Sequence, residues 1–182
     1  MVRETDGLVR SGQGPLLWAP SIAVRIQEEA PAPGAVRCRT VVELHGDLDE
    51  NADFGDLRDS LRGDVAIDLS GIRRIRSAGI REWLGFVRDL PQVDSLVLVG
   101  CSVPCVIQLN IVHNFRGPAR VESFRAPYLC ATCGDYEVLI ERAEVSWHRE
   151  TLAYLPVDCP RCGEQMEFDE VPDRYFQFLA DT

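Results

Sequence analysis

Two Cys-x-x-Cys-Gly turns, CATCG at 130–134 and CPRCG at 159–163, constrain this chain more tightly than any other feature. Four thiolates presented by two tight turns meet the tetrahedral demand of structural Zn2+, and the glycine after each pair lets the turn close. The segments carrying Cys130, Cys133, Cys159 and Cys162 must then lie side by side. A redox-active dithiol is the competing use of such pairs. One pair would suffice for exchange chemistry, however, and neither sits at a strand-to-helix junction that would depress its pKa. A closed four-cysteine site leaves no open coordination position, so its zinc stabilises and does not catalyse. The other three of the seven cysteines, Cys38, Cys101 and Cys105, lie in or beside predicted strands and a helix start. They read as packing thiols, with a second metal site at Cys101 and Cys105 the lesser alternative.

Upstream of the cysteine turns the pattern changes. Residues 1–20 are rich in Gly, Pro and polar residues without a sustained period and read as a flexible lead-in. Ile22, Val24 and Ile26 then alternate with polar residues, and RCRTVVELHGDL follows after a Pro/Gly turn, which predicts a strand pair. Phe54, Leu57 and Leu61 recur at helical spacing, with Asp49 and Asn51 as candidate caps and Gly63 as the stop. DVAIDLSGI and DSLVLVG are nearly continuous apolar runs, as expected of strands buried on both faces. Between them, Ile80, Trp83, Leu84, Val87 and Leu90 mark one side of a helix that ends at Pro91. Ser102 and Pro104 open a further helix, and ARVESF makes one more strand. The order β-β-α-β-α-β-α-β predicts an α/β fold, a mixed sheet covered by helices, with right-handed parallel crossovers. Beyond it, YEVLIE, LAYLPV and QMEFDEV supply an antiparallel ribbon around the cysteines, and PDRYFQFLA offers aromatics to pack on it.

The stretches VVELHGDLDENADFGDL, VAIDLSGIRRIRSAGI and SLVLVG resemble the STAS domain of anti-sigma factor antagonists and related bacterial regulators. The likeness covers residues 21–127, with 128–182 similar to the zinc-ribbon group. The resemblance implies a STAS-like mixed β-sheet covered by helices, followed by a small β-rich zinc ribbon. It also implies a partner-switching role in which the serine of an Asp-Ser-x-Gly motif is phosphorylated by a partner kinase. By position that serine is Ser77. The chain departs from the family at Arg76, which stands where the motif has Asp, a charge reversal beside the switch residue. Two readings of Ser77 stay open. It is a helix N-cap, a common use of serine, or it accepts a phosphate that the helix N-terminus would favour.

Arg73, Arg74, Arg76 and Arg81 gather around Ser77 in a chain of formal net charge −10. Guanidinium groups match carboxylates and phosphates in bidentate fashion, so the cluster is expected to dock an acidic or phosphorylated protein, which the resemblance implies is a kinase, an anti-sigma factor or a receiver domain. The bland alternative is a solvated loop whose arginines pair with Glu82, Asp89 and neighbouring acids.

Several function classes fall away. The pI of about 4.8 and the sparse cations of 128–182, Arg142, Arg149, Arg161 and Arg174, argue against nucleic-acid binding. No apolar run approaches the ~20 residues that cross a bilayer, and the first residues do not read as a secretory signal, so a cytoplasmic protein is expected. No GxSxG, Walker, GxGxxG or HExxH motif occurs. His45, His113 and His148 are scattered, His45 and His113 have no Ser or Cys partner in sequence, and they read as surface histidines. Asp68 ends a buried strand and could pass for a catalytic carboxylate, but the resemblance implies a structural or partner-contact role. The reading is a non-enzymatic signalling module, the alternative an accessory STAS subunit of a lipid or anion transport system.

Overall fold

The computed structural model describes residues 21–29, 39–142 and 156–180. Cys38, His148, Arg149, the lead-in 1–20 and most of LAYLPV lie outside them. The described chain forms two β-sheets. In the first, β1 (Ile22–Glu29), β2 (Arg39–Leu48), β3 (Gly63–Ile75), β4 (Val93–Val99) and β5 (Arg120–Val121) lie in that order. Only β1 and β2 are antiparallel, joined by a connection too short for a crossover, and every later pair is parallel. The helices α1 (Gly55–Ser60), α2 (Ser77–Arg88) and α3 (Val103–Ile111) occupy the connections.

One transverse row explains the apolar runs. Ile26 pairs with Val42, Val42 with Ile67, Ile67 with Leu98 and Leu98 with Val121. From Val42 onward these side chains are at most 1% exposed. The helices close over this core with aromatics: Phe54 stacks on Phe86 at 4.7 Å, and Trp83 lies 5.8 Å from both Phe86 and Phe115. Burying each such ring contributes about 1.5 to 3 kcal/mol. The Trp83 indole N–H is satisfied by the Phe115 carbonyl at 2.7 Å. Gly79, in the first turn of α2, lies directly against the Leu48–Asp49 backbone, where a Cβ would collide with the Leu48 carbonyl. That close approach fixes the start of α2 against the end of β2.

Three expectations need correction. The first helix is only Gly55–Ser60. Asp49 caps nothing, because its carboxylate accepts from Asn51 N–H at 2.9 Å and forms a local turn. The strand read as 64–72 runs from Gly63 to Ile75, since β2 keeps pairing with it beyond the edge of β4. Finally, ARVESF is two strands. β5 ends at Val121, and the chain enters the second sheet as β6 (Ser123–Cys130), running straight through the expected boundary at 127/128. Glu122 is the crossing point: its N–H donates to Leu98 in the first sheet, and its carbonyl accepts from Arg142 N–H. Its carboxylate accepts from Arg39 at 2.9 Å and Arg120 at 2.7 Å. Burial works against that carboxylate, but these two guanidinium groups hold its pKa below the usual range.

The second sheet is antiparallel, in the order β7 (Gly134–Glu141), β6, β9 (Gln165–Phe168) and β8 (Val157–Asp158). PDRYFQFLA folds into α4 (Pro172–Tyr175) and a 3₁₀ turn, Gln177–Ala180. Phe176 and Phe178 meet Phe124 of β6 at 6.0 and 5.2 Å. Asn110 of α3 donates to the Tyr175 carbonyl at 2.8 Å and accepts from Phe178 N–H at 2.7 Å. The two sheets thus share one continuous apolar core.

Candidate functional site

The cysteine turns occupy the tips of two hairpins. The first joins β6 to β7, where Cys130 pairs with Gly134. The second joins β8 to β9, closed by Gly163 N–H to the Cys159 carbonyl at 2.8 Å and Cys159 N–H to the Glu164 carbonyl at 2.7 Å. Gly134 and Gly163 have φ of +92° and +77°, a conformation that a side chain would strain. Pairing of β6 with β9, Tyr128 to Phe168 and Leu129 to Glu167, sets the tips side by side.

The result is one compact cluster. The sulfurs of Cys130, Cys133, Cys159 and Cys162 all lie within 4.8 Å of one another, and those of Cys130 and Cys162 are 3.5 Å apart. A tetrahedron of sulfurs each at about 2.3 Å from zinc has edges of about 3.8 Å, so this spacing can hold a metal ion. Electrostatics point the same way. Burial opposes ionisation of Cys159, but hydrogen bonds from the Tyr136 hydroxyl and the Cys162 and Arg161 N–H groups bring its pKa to about 6. Cys162 receives the Glu164 N–H, yet desolvation and the other three cysteines push it to about 12. Cys159 thus ionises readily, while Cys162 and the desolvated Cys133 resist ionisation until a cation neutralises them. Thr132 of the first turn donates to the Glu164 carboxylate at 2.6 Å, tying the two tips together. Sequence reading missed Tyr136, Thr132 and Glu164; their nearness to the cysteines was visible, but their partners were set by strand pairing.

Cys101 and Cys105 stand apart from this cluster. Both are fully buried, with Ser102 Oγ donating to Cys105 Sγ at 3.3 Å. Burial raises both thiols, Cys105 to about 12. Among the described residues the one group of three or more metal-type ligands is the four-cysteine cluster, and Cys101 and Cys105 are not part of it. Asp68 accepts from Ser70 N–H at 2.7 Å, and His45 and His113 are exposed.

The arginines converge where the parallel strands β2 and β3 end and α2 begins, the edge at which open α/β sheets place their ligands. Arg73, Arg74, Arg76, Ser77 and Arg81 are all exposed. Arg73 lies 3.4 Å from Asp47 as a loose ion pair, its side chain still 75% exposed. Asp89, one of the acids expected to neutralise the cluster, pairs instead with Arg58 at 3.6 Å. Asp49 is nearer, its carboxyl lowered first by the Asn51 N–H and further by the Arg76 charge.

The N-cap position belongs to Arg76, and no side chain caps α2. Ser77 is the first helical residue, which corrects the expectation that it caps. Ser77→Ala should therefore shift chemical-denaturation stability by less than about 0.5 kcal/mol, whereas loss of a true serine cap costs about 0.5 to 2 kcal/mol.

No protein-family model matches the sequence, and no curated protein matches it. Among the described residues no helix is long and apolar enough to cross a membrane.

Proposed function

We propose that the chain is a non-enzymatic docking module of bacterial signalling, a STAS-type domain whose arginine turn recognises an acidic or phosphorylated protein and whose ribbon is held by structural Zn2+. The observation that carries this reading is the exposed basic turn at the β3–α2 junction. Arg74, Arg76 and Arg81 make no ion pair among the described residues, in a protein that is otherwise strongly acidic. Keeping such charges close together costs self-repulsion, and a partner's carboxylates or phosphate relieve it while steering association. The sheet order with helices in the parallel connections supports the STAS likeness, and the sulfur spacing supports tetrahedral thiolate coordination. The partner is a kinase, an anti-sigma factor or a receiver domain, met in the cytoplasm.

Ser77, exposed and at the first turn of α2, remains a site where phosphate would be favoured by the helix N-terminus. It would also turn the face from cation to mixed charge. The test is affinity capture of the metal-loaded chain from its native host, with mass spectrometry of the captured proteins and of Ser77. A stoichiometric signalling partner released by high salt is the expected result. Capture of nothing but nucleic acid, or of a permease complex indifferent to salt, would overturn the reading.

A further inference from the structure

The outward face of the second sheet is covered by nothing in the described chain. Side chains alternate along β6 and β7, so that Phe124, Ala126, Tyr128 and Ile140 turn into the core while the other set faces out. The outward set is unlike an ordinary solvated strand face. Leu129 and Leu139 are 39% and 49% exposed. Around them stand Asp135 and Glu167, both paired across from Leu129, with Glu137 and Glu141 further along β7. All four acids are exposed, and Arg125, across from Leu139, is the cation among them.

An acidic face carrying two exposed leucines has its complement on this same molecule. The arginine turn presents Arg73, Arg74, Arg76 and Arg81 around the half-buried Ile75 and Ile80. Within one chain the two surfaces belong to different elements. The second sheet packs against α3 and β4, whereas the turn lies at the end of β2 and β3.

We infer that the acidic outward face of the second sheet receives the arginine turn of a second copy of this chain, making a head-to-tail, salt-sensitive self-association. The inference rests on reading the arginine turn as a docking face and names an occupant for it. The contact is heterologous, one patch meeting a different patch, so it extends or closes into a ring. It also masks the turn, so self-association competes with any acidic partner.

The full metal-loaded chain is examined by sedimentation velocity from low micromolar to millimolar concentration, at low and high salt. Wild type should associate with rising concentration at low salt and revert to monomer at high salt, where charges beyond a Debye length are screened. Arg73→Glu/Arg76→Glu and Glu137→Arg/Glu167→Arg should each weaken association about tenfold or more, with circular dichroism and zinc content unchanged. Mixing the two variants should restore association in equal proportion, because each keeps the surface the other lacks and the reversed charges also match. A wild type that stays monomeric at low salt, or two variants that do not associate on mixing, overturns the inference. Glu137→Arg/Glu167→Arg leaves the turn intact, so it still binds a captured partner if only the self-association is wrong. If the docking reading itself is wrong, the arginine variant binds that partner as wild type does.

Discussion

Arg73→Glu combined with Arg76→Glu should abolish binding of the captured partner while leaving thermal unfolding where it was. Both side chains are exposed, and Arg73 has only the loose contact to Asp47 to lose. Surface substitutions of this kind change stability by about 0.5 kcal/mol or less. Binding is another matter. Two reversed charges at a docking face lose their attraction and add repulsion, an expected penalty of about 2 to 5 kcal/mol, roughly thirtyfold or more in affinity. Ser77→Asp should act in the same direction and more weakly, since it adds one negative charge to the face. At the first turn of α2 that charge also gains about 0.3 to 1 kcal/mol of helix stability. Calorimetric titration at two salt concentrations checks both. Unchanged affinity in the double variant would return the cluster to a solvated loop.

Stripping the metal should have the largest effect on the structure itself. Structural zinc in small four-ligand units contributes about 10 to 16 kcal/mol of apparent binding energy, comparable with or above the about 5 to 15 kcal/mol of a whole domain's stability. With the cation gone, nothing bridges the four sulfurs that lie within 4.8 Å of one another. The β6–β7 and β8–β9 hairpin tips then lose their common anchor. The second sheet should melt first, and the first sheet should survive with lowered stability, because Phe176 and Phe178 leave Phe124 when the C-terminal segment detaches. Elemental analysis should give one zinc per chain after metal-replete expression. Amide exchange should show the loss of protection beginning in residues 123–141 and 156–168. Less than half an equivalent of zinc, or chelation without change in the ribbon, contradicts the metal assignment.

How much of this was legible in the sequence depended on whether a feature was local. The strands carrying Ile67 and Leu98 could be found because strands buried on both faces are apolar throughout. The cysteine turns could be found because their spacing and glycines encode the ligand geometry without reference to anything distant. The split at Glu122 could not. Residues 119–124 read as one strand, and only the bonds from Glu122 N–H to Leu98 and from Arg142 N–H to the Glu122 carbonyl divide them between sheets. The start of α2 misled for a related reason. Serine is a favoured cap, but the packing of Gly79 on Leu48 and the bond from Arg76 N–H to the Leu48 carbonyl at 2.8 Å put Arg76 at the cap instead. The acidic outward face was visible residue by residue, yet only the pairing of β6 with β7 and β9 assembles it.

The central claim is that the β3–α2 turn is the recognition face, and hydrogen exchange of the metal-loaded chain with and without its captured partner tests it most directly. The account predicts new protection concentrated in residues 73–81, lost at high salt. Protection confined to the second sheet, with residues 73–81 exchanging as they do in the free protein, would contradict it.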